Sequence, residues 1–220
     1  MPGGKRSDHI SSRDLEILEF IARFGVVPRR SVAAWAGTAR TVTIVRESRL
    51  RKAELIRVVR GFGDGGPLAL ATKLGLHAAG RRELPAARLS AAALGHDTVV
   101  AEIAAQLERA GQRVLSEREI LARERAAGAH LLSAQLPGGR FHRADLVHVE
   151  EDGSPLEAIE VELSTKGAAR LDELLRAWRR AVLEKKIARV VYRCSPRTMA
   201  DLERAVERTK SGSVISVQEL

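Results

Sequence analysis

The 220 residues suffice for one large domain or two small ones, and an apolar fraction of 45% allows a packed core. A single cysteine, Cys194, excludes an intrachain disulfide and a cysteine zinc cage, and no apolar run is long enough to span a bilayer. The net charge of +9 resides wholly in residues 1–94, which hold 17 Lys and Arg against 8 Asp and Glu, whereas residues 95–220 hold 20 of each. These features predict a cytoplasmic protein, without membrane contact, whose first part meets a polyanion.

In chain order, "SSRDLEILEFIARFG" reads as an amphipathic helix with a serine N-cap and Gly25 at its end. Leu15, Leu18 and Ile21 or Ala22 face inward, widened by Ile17 and Phe20. "VVPRRSVAAWAG" is a second short helix between Pro28 and Gly37. "TARTVTIVRESRLRKAEL" is a third, opened by Thr38, with Val42, Val45 or Arg46, and Leu50 inward. "LIRVVRGFGDGGPLALAT" switches to extended character and predicts a β-hairpin around "GDGG". Three short helices and a hairpin form a winged helix-turn-helix pattern over residues 1–76, with a connector over 77–95.

From 96 to 220 the pattern alternates. A helix over "HDTVVAEIAAQLERAG", capped by Asp97 or Thr98, precedes "QRVLSEREIL", which reads as a strand and then as a helix. Strands "RADLVHVE" and "LEAIEVELS" flank the turn "EDGSP". The helix "KGAARLDELLRAWRRAVLEKK" places Leu171, Leu174, Leu175, Trp178 and Val182 on one face. A strand around Cys194, a helix after Pro196 and a last strand complete a mixed-sheet α/β domain, giving an α+β chain overall.

Strand alternation puts Glu160 and Glu162 on one face, with Cα atoms about 6.6 Å apart. Asp145 lies within reach on the neighbouring strand. Clustered carboxylates repel one another, and Mg²⁺ or Mn²⁺ on Asp145 and Glu160 would relieve that cost and could polarise a phosphate. Solvated acids on an outer sheet face are the alternative. His96, His142 and His148 match no metal-binding spacing, and Cys194 reads as core.

This half resembles the PD-(D/E)xK nuclease superfamily. Asp145 matches its aspartate, in "RADLV" where the motif has Pro-Asp, and Glu160 matches its acid on the next strand. Glu162 stands where the family has lysine, and Lys166 is a candidate displaced lysine. The resemblance implies a catalytic set of Asp145, Glu160, Glu162 and Lys166, with Glu102 as a candidate accessory ligand, a solvated helix face being the alternative for Glu102. With a winged helix in front, the stretch "AIEVELSTKGAARLDELLRAW" resembles the replication-relaxation family of plasmids and mobile elements, over about Asp14 to Val191. That resemblance implies a protein binding duplex DNA in plasmid replication, relaxation, transfer or regulation. A homodimer and proteins of the replication or transfer machinery are further partners it suggests. A metal-dependent endonuclease or nickase, and a transcriptional repressor with a C-terminal partner-binding domain, are the alternatives.

For DNA contact, Arg40 and Thr43 are expected at base edges. Arg46, Arg51, Arg57 and Arg60 are expected on phosphates, with Thr41, Arg49 and Lys52 on the same helix and Arg29 and Arg30 at the start of the second.

Overall fold

The computed structural model describes residues 9–61 and 66–220, an α+β chain with mixed sheets. Among the described residues no helix is long and apolar enough to cross a membrane. The chain divides into two compact units, Met1–Arg109 and Ala110–Leu220.

In the first unit, α1 (Ser12–Phe24) starts at a capping box: the Ser11 hydroxyl accepts from Asp14 N at 3.2 Å, and Asp14 Oδ2 accepts from Ser11 N at 3.0 Å. Gly25, at φ 80°, ends the helix. After β1 (Val27–Pro28) come α2 (Arg29–Ala36) and α3 (Arg40–Lys52), then β2 (Ile56–Arg60) and β3 (Pro67–Ala71). The three strands form one antiparallel sheet in the order β1-β3-β2. The "GDGG" turn expected between β2 and β3 falls largely on residues 62–65, outside the described residues.

The short α4 (Lys73–Ala78) is capped by Thr72, whose Oγ1 accepts from Gly75 N at 2.9 Å. Here glycine is required by space, since a Cβ on Gly75 would lie 1.9 Å from the Leu55 carbonyl oxygen. The last helix of the unit is α5 (Leu94–Arg109), which begins before Asp97 and Thr98, so neither caps it.

The unit boundary lies after Arg109, whereas the sequence reading begins the second domain at residue 96. The reason is a set of polar ties along α5. Trp35 Nε1 donates to Glu108 at 2.7 Å, Arg23 pairs with the same carboxylate at 2.7 Å, and Arg109 donates to the Ala34 carbonyl at 3.0 Å.

α1 buries the expected Ile17, Leu18, Phe20, Ile21 and Ala22 and departs from its apolar pattern only at its start, whereas α3 departs from it along most of its length. On α1, Asp14 is fully buried while Leu15 is exposed. On α3 the buried residues are Thr43, Glu47 and Leu50, while Val42 and Val45, expected inside, face solvent. Polar partners explain both. Arg46 reaches Asp14 at 2.9 Å, Arg29 reaches Glu47 at 2.6 Å, and Thr43 Oγ1 lies 3.2 Å from Thr38 Oγ1. Charged groups can be buried when each has a hydrogen-bonded partner of opposite sign.

The second unit has a five-stranded mixed sheet in the order β10-β9-β8-β7-β4. Its strands are β4 (Arg113–Ser116), β7 (Leu146–Val149), β8 (Pro155–Glu162), β9 (Arg189–Cys194) and β10 (Ile215–Glu219). The β4, β7 and β8 pairings are antiparallel, and β8, β9 and β10 run parallel. β7 and β8 form the expected hairpin. Between β4 and β7 lie α6 (Glu117–Ala127), the helix expected after that strand, and a two-stranded ribbon that the sequence pattern does not reveal, β5 (Ser133–Gln135) with β6 (Phe141–Arg143). Buried Glu124 of α6 ties the ribbon down, accepting from Ser133 Oγ at 2.6 Å and Arg143 Nε at 3.0 Å.

One face of the main sheet carries Leu115, Val147, Val149, Ala158, Val190, Tyr192 and Cys194. They pack in one core with Leu171, Leu174, Leu175 and Trp178 of α7 (Ala168–Leu183) and Leu202 of α8 (Pro196–Thr209).

Candidate functional site: a buried acidic cluster and a cationic helix

β8 is the middle strand of five, and its register decides where the acids point. Ala158 stands beside Val190, Glu160 beside Tyr192 and Glu162 beside Cys194. Residues two apart share a face, so Glu160 and Glu162 lie on the side of the apolar core under α7, not on a wet outer face. Both are buried, at 4% exposure.

The β7–β8 register pairs Leu146 with Ile159, so Asp145 continues the ladder opposite Glu160. Asp145 Oδ2 accepts from Val161 N at 2.7 Å, so a side chain prolongs the ladder where the backbone pairing stops.

Each acid has partners. Trp178 Nε1 donates to Glu160 Oε1 at 3.0 Å, and His142 Nε2 lies 3.0 Å from both Glu160 oxygens. While Glu160 is ionised it only accepts, so in that state the His142 Nε2 is the donor. Lys166 donates to Glu162 Oε2. Glu160, Asp145 and Lys166 all act on His142 through charge. The structure therefore brings together the four residues picked from sequence, and adds His142, Trp178 and Tyr192. The indole N–H of Trp178 is the one sequence signal that could have found Glu160's partner, because a buried indole needs an acceptor.

Burial alone would lower the His142 pKa, but the Glu160 carboxylate, and Asp145 behind it, outweigh burial and raise it. Burial raises Glu160 above the usual carboxylate value, with His142 offsetting only part. Both shifts have one meaning: the pair holds its proton more tightly than free side chains would. Burial, with Glu160, Glu162 and Asp145 nearby, pushes the Tyr192 phenol well above its ordinary range. The Tyr192 hydroxyl is buried and has no hydrogen-bond partner among the described residues.

This arrangement does not fit Mg²⁺ or Mn²⁺ as it stands. A hard cation takes several oxygen ligands converging on one point. Here an imidazole and an indole take up Glu160, an ammonium takes up Glu162, and a backbone amide engages Asp145. Among the described residues no three His, Cys, Asp or Glu side chains are grouped to hold a metal ion. Glu102 lies in the other unit and pairs with Arg30. His96 lies in α5 at 3.8 Å from Asp97, and His148 lies in β7 opposite Glu157.

No family model matches the chain, and no curated protein matches it.

The cations of the first unit sort into two groups. Arg29 is tied to Glu47, Arg30 to Glu102, Arg46 to Asp14, and Arg49 lies 3.8 Å from Asp14. Arg29 and Arg46 are engaged within the fold, and Thr43 is fully buried with its hydroxyl on the Ala39 carbonyl. Arg40, Thr41, Arg51 and Lys52 on α3, and Arg57 and Arg60 on β2, are exposed. Among the described residues Arg40, Arg51, Arg57 and Arg60 face no carboxylate.

Proposed function

We propose that the chain is a duplex-DNA-binding protein that grips DNA through its first unit, in the manner of a winged helix, and serves a mobile element's replication, relaxation, transfer or regulation. The observation that carries this reading is the solvent face of α3, where Arg40, Thr41, Arg51 and Lys52 lie exposed, followed by Arg57 and Arg60 on β2. The unit holds 18 Lys and Arg against 11 Asp and Glu. The order α1-β1-α2-α3-β2-β3 with sheet order β1-β3-β2 supports the winged-helix reading.

Each phosphate neutralised by a cation releases counterions, so affinity falls steeply with salt. A gel shift of the full chain on random-sequence duplex between 50 and 200 mM salt tests the proposal; affinity that ignores salt sinks it.

A second reading, metal-dependent cleavage by a PD-(D/E)xK-like second unit, is favoured by the convergence of Asp145, Glu160, Glu162 and Lys166. It requires Glu160 and Glu162 to exchange their present partners for a cation. Nicking of supercoiled plasmid with Mg²⁺ or Mn²⁺, abolished in Asp145→Asn and Glu160→Gln, would establish it. Wild-type protein that leaves the plasmid intact restricts the second unit to a non-catalytic role.

A further inference from the structure

The solvent face of α3 is not only cationic. Thr41, Ile44, Val45, Ser48, Arg51 and Lys52 follow the spacing of one helical face, and that face points outward. Val42 borders it. Val42, Ile44 and Val45 are 41%, 40% and 48% exposed and lie on the first half of a 13-residue helix, with Val45 between the other two around its axis. A pure phosphate-binding face would carry hydroxyls and amides at those positions. Three stiff β-branched side chains offer no hydrogen bond, so they can read neither the acceptors of guanine nor the amino group of cytosine.

What they can meet in the major groove is the one apolar group displayed there, the C5-methyl of thymine. The surrounding charge favours nucleic acid over an apolar partner. Arg40 opens the helix, Arg51 and Lys52 close it, and Arg57 and Arg60 follow on β2. Apolar contact from the first half of the helix and cations at its end match a helix whose start lies at base edges and whose end lies at phosphates.

We propose that Val42, Ile44 and Val45 determine sequence preference by packing against thymine methyl groups, so that the preferred duplex is thymine-rich under α3. This rests on the DNA-binding reading above and names what that surface selects.

The test uses the full chain and a duplex library randomised over about 20 base pairs, enough to exceed one module's footprint. After selection, the enriched duplex is resynthesised with deoxyuridine replacing thymidine one position at a time, which deletes only the C5-methyl. Two or three contiguous positions are expected to weaken binding about fourfold per methyl removed. The combined variant Val42→Ser, Ile44→Ser, Val45→Ser is expected to lose that discrimination while keeping the salt dependence of wild type.

Salt-sensitive binding with no thymine enrichment, or with full affinity for the uracil duplexes, overturns the inference and leaves the DNA-binding reading intact. Absence of salt-sensitive binding removes both. If the triple substitution instead changes the sedimentation coefficient of the free protein and uracil is tolerated, the face meets a second copy of the chain and the inference fails.

Discussion

His142 Nε2 stands 3.0 Å from each oxygen of Glu160, so an imidazole from the small β5–β6 ribbon is fastened to the middle strand of the main sheet. The folded chain raises the pKa of both groups, and this has a definite consequence for stability. A proton bound more tightly in the folded state stabilises fully below the ordinary imidazole value of 6.5 and less as pH rises through the raised value. With chelator present, urea midpoints are expected to fall between about pH 6 and pH 8, the range in which histidine changes charge. Glu160→Gln should flatten that slope. A slope of the same size in Glu160→Gln would separate the effect from this pair.

The Arg29–Glu47 pair makes a second expectation in the first unit. Burial raises the Glu47 pKa, and the Arg29 guanidinium offsets part of that rise. Removing Arg29 leaves a buried carboxylate alone. Arg29→Met is expected to cost on the order of 3 kcal/mol at neutral pH. The loss should shrink toward pH 4 as Glu47 takes up a proton, since its ordinary value is 4.5. The double variant Arg29→Met, Glu47→Leu should recover much of it. Equal losses at pH 4 and pH 7, read from denaturant melts, would show that the charge is not the cause.

Gly75 is fixed by the Leu55 carbonyl, which would lie 1.9 Å from an added Cβ. That carbonyl also accepts from Thr72 N at 3.0 Å, so moving it disturbs the start of α4. Gly75→Ala is expected to destabilise the chain by about 1–3 kcal/mol despite alanine's higher helix propensity. A thermal melt no lower than wild type would contradict this.

Exposed and buried positions of α3 should separate in a salt titration of DNA binding. Arg51→Ala and Lys52→Ala are each expected to reduce the slope of log affinity against log salt by about one. Thr43→Val, at a buried position, should leave the slope and the sequence preference unchanged. A Thr43→Val protein that folds normally but loses preference at one base pair would return that residue to the interface.

Much of the architecture is legible in the chain because local chemistry and tertiary packing agree. Ser11 and Gly25 bound α1, Gly37 ends α2 at φ 62°, and the stripe from Leu171 to Trp178 is buried. The alternation that pairs Glu160 with Glu162 also holds. What sequence cannot show is which side of a strand or helix the neighbours choose to cover. On β8 both faces are buried, so alternation gives two faces without saying which meets α7. On α3 the inward side is chosen by Arg29 and Thr38, residues outside the helix. The pairing of His142 with Glu160 is not legible because the two stand 18 residues apart on strands of different sheets.

The inverted α3 separates two things that a helix usually carries on one pattern. Thr43, Glu47 and Leu50 anchor it from within, and none of them is shared with the outward row. Substitutions among Thr41, Ile44, Val45 and Ser48 can therefore accumulate without strain on the scaffold. The outward row of such a helix is free to vary while its seat in the domain stays the same.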